Sequence, residues 1–397
     1  MVGGSFVVGT EQEPFLQQAT ITLNGSPVSQ EIPVYGSKSL SCRFCTLDLH
    51  GKPVLDDRTH TKLAQTAPAG ATELWLTEPV DWDPLGGNAR VMITSSAESG
   101  TMEEFDEANL IEVLDGGYRL RLSTPLKYDH LGETRHFAEG YTVDFRCNVA
   151  LLSRNVIVQG NAISELDRHG GHIMLHSRGK ASIVDRSQGE SLVARLENIE
   201  VRRTGQMGRI GRYSIRAWTE LDPWTAGSCV AQPCPVCRLL LLTQRSGDRD
   251  SRARSLSLTD FHMIGSVRNS YVRYNSIHHT YNRAIAIHGV HYLRVQNNGK
   301  ATVPHARPPA ACLYLLSDQS AILFVWRYTV AFETRGHTFF VEDGLETKNI
   351  ITGNLAALTR ELFVGLGTDA TPSSYWLVNG DNYVANNIAA GSSHYGL

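Results

Sequence analysis

Charge is scarce in this chain of 397 residues: Asp, Glu, Lys and Arg together make up 19%, against about 25% in an average globular domain. Neither sign dominates, with 37 basic and 40 acidic residues and a formal net charge of −3. That balance excludes a strongly basic nucleic-acid binder and an acidic disordered tail. Cysteine is odd and modest in number, seven in all, which does not describe a disulfide-dense miniprotein. No glycine-rich run opens a helix with a Lys-Ser/Thr ending, so no phosphate loop is present and no cofactor is implied. Heptads and long amphipathic helices are missing, and Glu103 to Leu114 is the best helical candidate. Met1 to Val8 has neither the basic start nor the apolar run of a signal peptide. One stretch mimics a membrane span, Ala310 to Phe332, but it contains Asp318 and Arg327. A charge at mid-bilayer costs about 2.5–3.5 kcal/mol, so the expectation is that this chain holds no span.

What the chain does have is glycine, 35 residues, and 42% hydrophobic residues, enough for a substantial core. Period-two strand signals start early, at Ala19 to Leu23 before the Asn24-Gly25 turn. Ile32 to Gly36, Leu47 to Gly51, Leu74 to Leu76 and Tyr118 to Leu122 continue them. Asn24-Gly25-Ser26 is also a glycosylation sequon, with Asn24 as the acceptor.

From about residue 150 a loose repeat sets in, a short β-branched strand that ends near Asn. It recurs at Asn155–Asn161, Leu196–Val201, Tyr271–Ile277, Leu293–Asn298, Ile350–Asn354 and Tyr383–Ile388. Asn275 and Asn297 are 22 positions apart, a step that suits one coil of a parallel β-helix. Asn tolerates the left-handed turn between strands, and stacked Asn side chains can hydrogen-bond along the solenoid axis. A sandwich with Asn-rich turns is the alternative. Two segments lack the pattern, at about 216–259 and 299–329; together they hold Cys229, Cys234, Cys237 and Cys312. Loops beyond about 12–15 residues without structure are uncommon in compact domains. Both segments are therefore expected to be non-native inserts of intron origin, to be checked by sequencing spliced message across them.

Several motifs together resemble the fibrocystin family. Gly4 to Phe15, Ala19 to Gly25, Ile32 to Ser37 and Leu47 to Pro53 are similar to the middle of an eight-glycine (G8) domain. Gly171 to Met174, Ala194 to Gln206, Gly211 to Ile215, Phe261 to Gly265, Tyr271 to Gly289 and Gly336 to Gly344 continue the likeness. The resemblance implies a large cell-surface glycoprotein with immunoglobulin-like modules, G8 domains, parallel β-helix repeats and one membrane span. This chain departs from it by beginning inside the G8 domain and by carrying Asp260 where the family has a histidine. The expectation is an all-β fold, with a truncated G8 β-sandwich-like region at 1–150 and a right-handed parallel β-helix at 151–397.

Two functions compete at this level. One is a receptor-like or adhesive extracellular module, with no catalytic residue and an unknown protein or glycan as ligand. The other is a hyaluronan-degrading hydrolase, since related G8 and β-helix proteins cleave that glycosaminoglycan. Nucleic acid is not expected as a partner, and a membrane only through a span this chain lacks. The candidate glycan-facing residues are His262, His279, His288, His337, Glu342 and Asp343. On stacked coils, residues of equal phase share one face, where imidazoles and carboxylates act as acid, base or sugar ligands. The competing reading is that they are hydrogen-bonded turn or core residues. A zinc site from Cys42-Cys45 and Cys234-Cys237 is not expected, because the second pair lies in an insert. Arg202-Arg203 reads as a solvated charge pair.

Overall fold

The computed structural model describes residues 1–43, 45–96, 104–138, 140–178, 192–220, 265–266, 270–288, 290–291, 325–342, 344, 346, 349–362 and 370–396. Three parallel sheets run the length of the molecule. Sheet I stacks Ser5–Val8, Thr46–His50, Val193–Glu197, Tyr271–Arg273, Val325–Arg327, Ile350–Thr352 and Tyr383–Ala385. Sheet II stacks Ala19–Leu23, Val156–Gly160, Ile199–Arg202, Ser276–His278, Val330–Arg335, Leu355–Arg360 and Ile388–Ser392. Sheet III stacks Ser39–Arg43, His172–Arg178, Ile215–Glu220, Ile285–His288, Phe339–Val341 and Tyr375–Leu377. The chain visits the sheets in the order I, II, III, so each circuit is one coil of a parallel β-helix.

The interior is filled by alternate residues that repeat from coil to coil. Val158, Val201, Ile277, Ala331 and Ala356 are successive partners in sheet II. Leu40, Ile173, Ile215, Ile285, Phe339 and Tyr375 are successive partners in sheet III. Both columns belong to one apolar cluster. Exact stacking of like on like follows from parallel register: strands about 4.8 Å apart put equal phases in direct contact.

The corner between sheets I and II explains the repeat in the sequence. Asn198, Tyr274, Tyr328, Gly353 and Asn386 occupy it in successive coils, all at positive φ. Gly353 is required there, because a Cβ would lie 2.7 Å from the Tyr328 ring. Asn275 follows the turn, fully buried; it accepts from the Ile199 N–H at 3.0 Å and donates to the Leu196 carbonyl at 2.9 Å. Asn354 accepts from Thr329 N–H, and Asn387 accepts from both Asn354 nitrogens. The asparagines thus bridge coils along the axis, as the sequence pattern suggests. Asn297 lies outside the described residues, and Tyr328-Thr329 fills the corner in the fifth coil.

Between Thr46–His50 and Val156–Gly160 the chain leaves the solenoid and builds an antiparallel sheet. Its order is His60–Lys62, Asn148–Leu151, Ala89–Ile93, Asp106–Leu114, Arg119–Leu122 and Glu73–Trp75. Met92, Ala150 and Leu152 from this excursion pack on Val330, Phe332, Leu355 and Ala357 of sheet II. The outer face of sheet II is therefore buried too in the fifth and sixth coils, where Val330 to Phe332 and Leu355 to Leu358 read as continuous apolar runs. Two readings are corrected here. The boundary near residue 150 marks the return of the excursion, because Ala19–Leu23 and Ser39–Arg43 already pair with later coils. And the helical candidate Glu103 to Leu114 is a strand over Asp106–Leu114: Asp106, Ala108 and Leu110 alternate inward, and cross-strand pairing overrides a weak helical pattern.

The insert edges also move. Residues 216–220 extend a sheet III strand, and Val325–Arg327 supplies a sheet I strand. The chain leaves sheet III at Glu220 and His288 and re-enters sheet I at Tyr271 and Val325. At their described ends the odd segments therefore meet sheets III and I; residues 221–259 and 299–324 lie outside the described residues. Cys42 and Cys45 are buried and bonded to each other, and no helix among the described residues is long and apolar enough to cross a membrane.

Replacing Asn275 by Ala removes both bridges and leaves a buried N–H and C=O without partners. At about 1–3 kcal/mol for each orphaned group, Asn275→Ala should cost about 2–4 kcal/mol in urea unfolding, and Asn275→Asp, which sets a buried carboxylate against the Leu196 carbonyl, should cost no less. A loss below about 1 kcal/mol in both would show that the bridge does not carry the corner.

Candidate functional site

Where sheet II turns toward sheet III, each coil again places one residue at positive φ. In the third to sixth coils these are Arg203, His279, Glu333 and Leu358. Non-glycine residues in this conformation cost about 1–2 kcal/mol each, and the stack holds them in line. The first three open into a cleft of about 450 Å³. Arg90 comes from the antiparallel sheet, Glu165 and Arg168 from the short helix Ser164–Asp167 and its end, and Arg202 and Arg335 from sheet II. Five arginines thus converge from separate elements.

Most of these charges are tethered. Arg90 bonds Glu107 at 2.8 Å. Arg202 donates to Gln159 at 2.9 Å and pairs with Glu200 at 3.1 Å. Arg203 donates to Gln159 at 2.6 Å and to Glu165 at 3.3 Å. Arg168 lies over the Tyr281 ring at 5.5 Å. Burial lowers the Arg202 and Arg335 guanidinium pKa values. Glu200 and Glu333 respectively oppose this, and neighbouring arginines push the same way as burial.

Beneath the floor, Glu200 and His278 are buried. His278 Nε2 stands 3.2 Å from Glu200, and its Nδ1 stands 2.7 Å from His279 Nδ1. Burial pushes His278 down to about 3, so it is neutral at pH 7, with its proton on Nε2 facing the carboxylate. Burial opposes ionisation of Glu200, but the His278 contact, the Arg202 charge and the Arg154 N–H outweigh it and hold the carboxyl below its ordinary range. His279 then donates through Nδ1, and its Nε2 faces Glu333 at 3.3 Å and Glu107 at 3.5 Å.

Of the residues singled out in the sequence, His279 lines the cleft. His337 does not: it is buried, accepts from Ser373 N–H at 3.1 Å and packs on Phe340 and Trp376. Glu342 follows a sheet III strand and stands 3.6 Å from Arg283, a buried cation stacked on Phe340. His288 lies in the same sheet, paired with Trp218. His262 and Asp343 lie outside the described residues. His279 and the pair His337 and Glu342 are therefore not gathered on one face, because His279 sits at the corner that follows sheet II and the other two lie with sheet III. Asn24 is exposed just after a sheet II strand. The arginines are what sequence reading passed over. Arg202-Arg203 is no solvated pair, and the available signal was phase, since Arg203 and His279 follow aligned strands.

Comparison with known proteins gives the class. The G8 domain family model matches residues 1–64, and the CEMIP beta-helix family model matches residues 258–301 and 326–397. The second match breaks off across the odd segment and resumes beside Val325. The first part of the chain is thus similar to a G8 domain and the last part to a CEMIP beta-helix. Fibrocystin-L of Homo sapiens is 29% identical over 428 aligned residues, covering 100% of this chain and 8% of its own length. Fibrocystin of Canis lupus familiaris is 30% identical, over 75% of this chain and 6% of its own. Protein rliB of Dictyostelium discoideum is 23% identical, over 91% of this chain and 23% of its own. Among solved structures, the tailspike gp61 of Pseudomonas phage phi297 aligns over 98% of this chain and 55% of its own, at 10% identity and a TM-score of 0.24. The chain is a homologue of fibrocystin-L from end to end, and it spans about 8% of the length of that relative.

Burial lowers His278 and His172 to about 3, and His50, His169 and His176 to about 4. Unfolded histidines titrate near 6.5, so the unfolded chain binds more protons below that pH. Stability from these groups is complete above about 6.5 and is lost as pH falls toward 4. The urea midpoint should drop steadily across that window, and His278→Asn should flatten part of the slope; a flat profile would contradict the assignment.

Proposed function

We propose that this chain is an extracellular segment of a cell-surface, receptor-like protein that binds an anionic glycan and does not cleave it. The observation that carries this reading is the convergence of five arginines on one cleft at the edge of the antiparallel sheet. Guanidinium forks match carboxylate and sulfate oxygens in pairs. Homology to fibrocystin-L along the whole chain supports a surface role, and the exposed Asn24 is accessible to glycosylation.

Cleavage needs an acid and a base on either side of the glycosidic bond. In the cleft Glu107 contacts Arg90, Glu165 contacts Arg203, and Glu333 contacts His279, so each carboxylate is already engaged by a neighbouring side chain. The hydrolase reading has one observation in its favour, the Glu200–His278–His279 chain that leads a buried carboxylate to the cleft wall. The test is incubation with high-molecular-weight hyaluronan followed by size-exclusion. No shift to short fragments is expected, whereas labelled anionic oligosaccharide should be retained. Arg203→Gln should weaken retention at least tenfold. Fragments that vanish in His279→Ala would establish the hydrolase instead.

A further inference from the structure

The cleft's own charge arithmetic narrows the ligand further. Its cations are all arginine, with no lysine among the lining residues. Two lining carboxylates, Glu165 and Glu333, face five guanidiniums. Among the described residues Arg168 and Arg335 have no carboxylate ion pair, and Arg335 lies beside Arg360 in register. Arg335 has one carboxylate neighbour, Glu333, against two guanidinium neighbours, Arg168 and Arg360, so the arginines outnumber the carboxylates at this end of the cleft. Arg202 and Arg203 sit in the third coil and Arg335 in the fifth. Two steps of about 4.8 Å separate them along the axis, a distance that a short run of sugar rings covers.

We propose that the cleft selects densely sulfated glycans over glycans that carry a single carboxylate per disaccharide. This rests on the anionic-glycan reading above. A ligand with one anion in that span pairs one guanidinium fork and leaves the others desolvated without partners, which costs free energy. A chain with sulfates on neighbouring rings supplies an acceptor to each coil. A nucleic acid fits less well: bases bind single-strand clefts by stacking on exposed rings, and the lining holds one Tyr and no Phe or Trp, with that Tyr281 buried.

The test measures binding of the whole chain to size-matched oligosaccharides of heparin and of hyaluronan, and to inorganic polyphosphate, at about 0.15 M salt. Heparin should bind at least tenfold tighter than either of the others. The double variant Arg168→Gln/Arg335→Gln should lose most of that margin with its circular dichroism and melting unchanged. Arg121→Gln, two strands from Arg90 in the antiparallel sheet and outside the cleft lining, should keep it. Hyaluronan binding as tightly as heparin would overturn sulfate selectivity and leave the anionic-glycan reading standing. Polyphosphate binding as tightly would overturn a sugar ligand in favour of charge alone. No binding to any of the three would overturn both readings.

Discussion

Parallel hydrogen bonding between coils in fixed register is the constraint from which the rest follows. Because each strand pairs with its counterpart one circuit away, a residue's phase in one coil determines what it touches in the next. The interior column from Val158 to Ala356 is apolar for that reason, and the corner after sheet I repeats the same left-handed turn for that reason. The cleft uses the same rule on the outside. Arg203, His279 and Glu333 stand in line because the backbone makes the same left-handed turn three times in succession. Nearest-neighbour stacking of this kind supplies most of the stability of a solenoid, so the binding surface and the core are specified by one set of hydrogen bonds.

The antiparallel excursion converts a plain solenoid face into a site. By covering the outer face of the later coils with Met92, Ala150 and Leu152, it makes one edge of sheet II apolar and leaves the adjoining edge to Arg90 and Glu107. Glu107 then reaches His279 across the gap. The cleft is thus a junction between a repeating element and a unique one, which gives a periodic array of side chains a definite end wall.

Much of the architecture was legible in the amino-acid order. Period-two strands, Gly-rich turns and the recurring Asn pointed to stacked coils, and Ala19–Leu23 and Asn155–Asn161 proved to be neighbours in one sheet. What escaped was whatever depends on pairing across long separations. That Ser5–Val8 belongs with Thr46–His50 leaves no mark in either strand alone. Glu103 to Leu114 looked helical because its partner strands supply the apolar context that its own pattern lacks. The site was half legible. His279 was singled out by residue type, but His337 is equally conspicuous in sequence and serves the core. Arg203 could be found only by knowing the register, since its neighbours across coils are 76 and 130 positions further along, at His279 and Glu333.

The corner between sheets III and I is where this chain departs most from a regular repeat, with long stretches between Glu220 and Tyr271 and between His288 and Val325. The strands on either side still stack as though nothing intervened. Such a fold has a seam: a line along its length where sequence can be added, removed or exchanged while the hydrogen-bonded walls keep their alignment. New binding loops, reporter tags or whole domains grafted along that line would be presented at the regular spacing of the coils, which makes the molecule a scaffold whose outer decoration is decoupled from its interior.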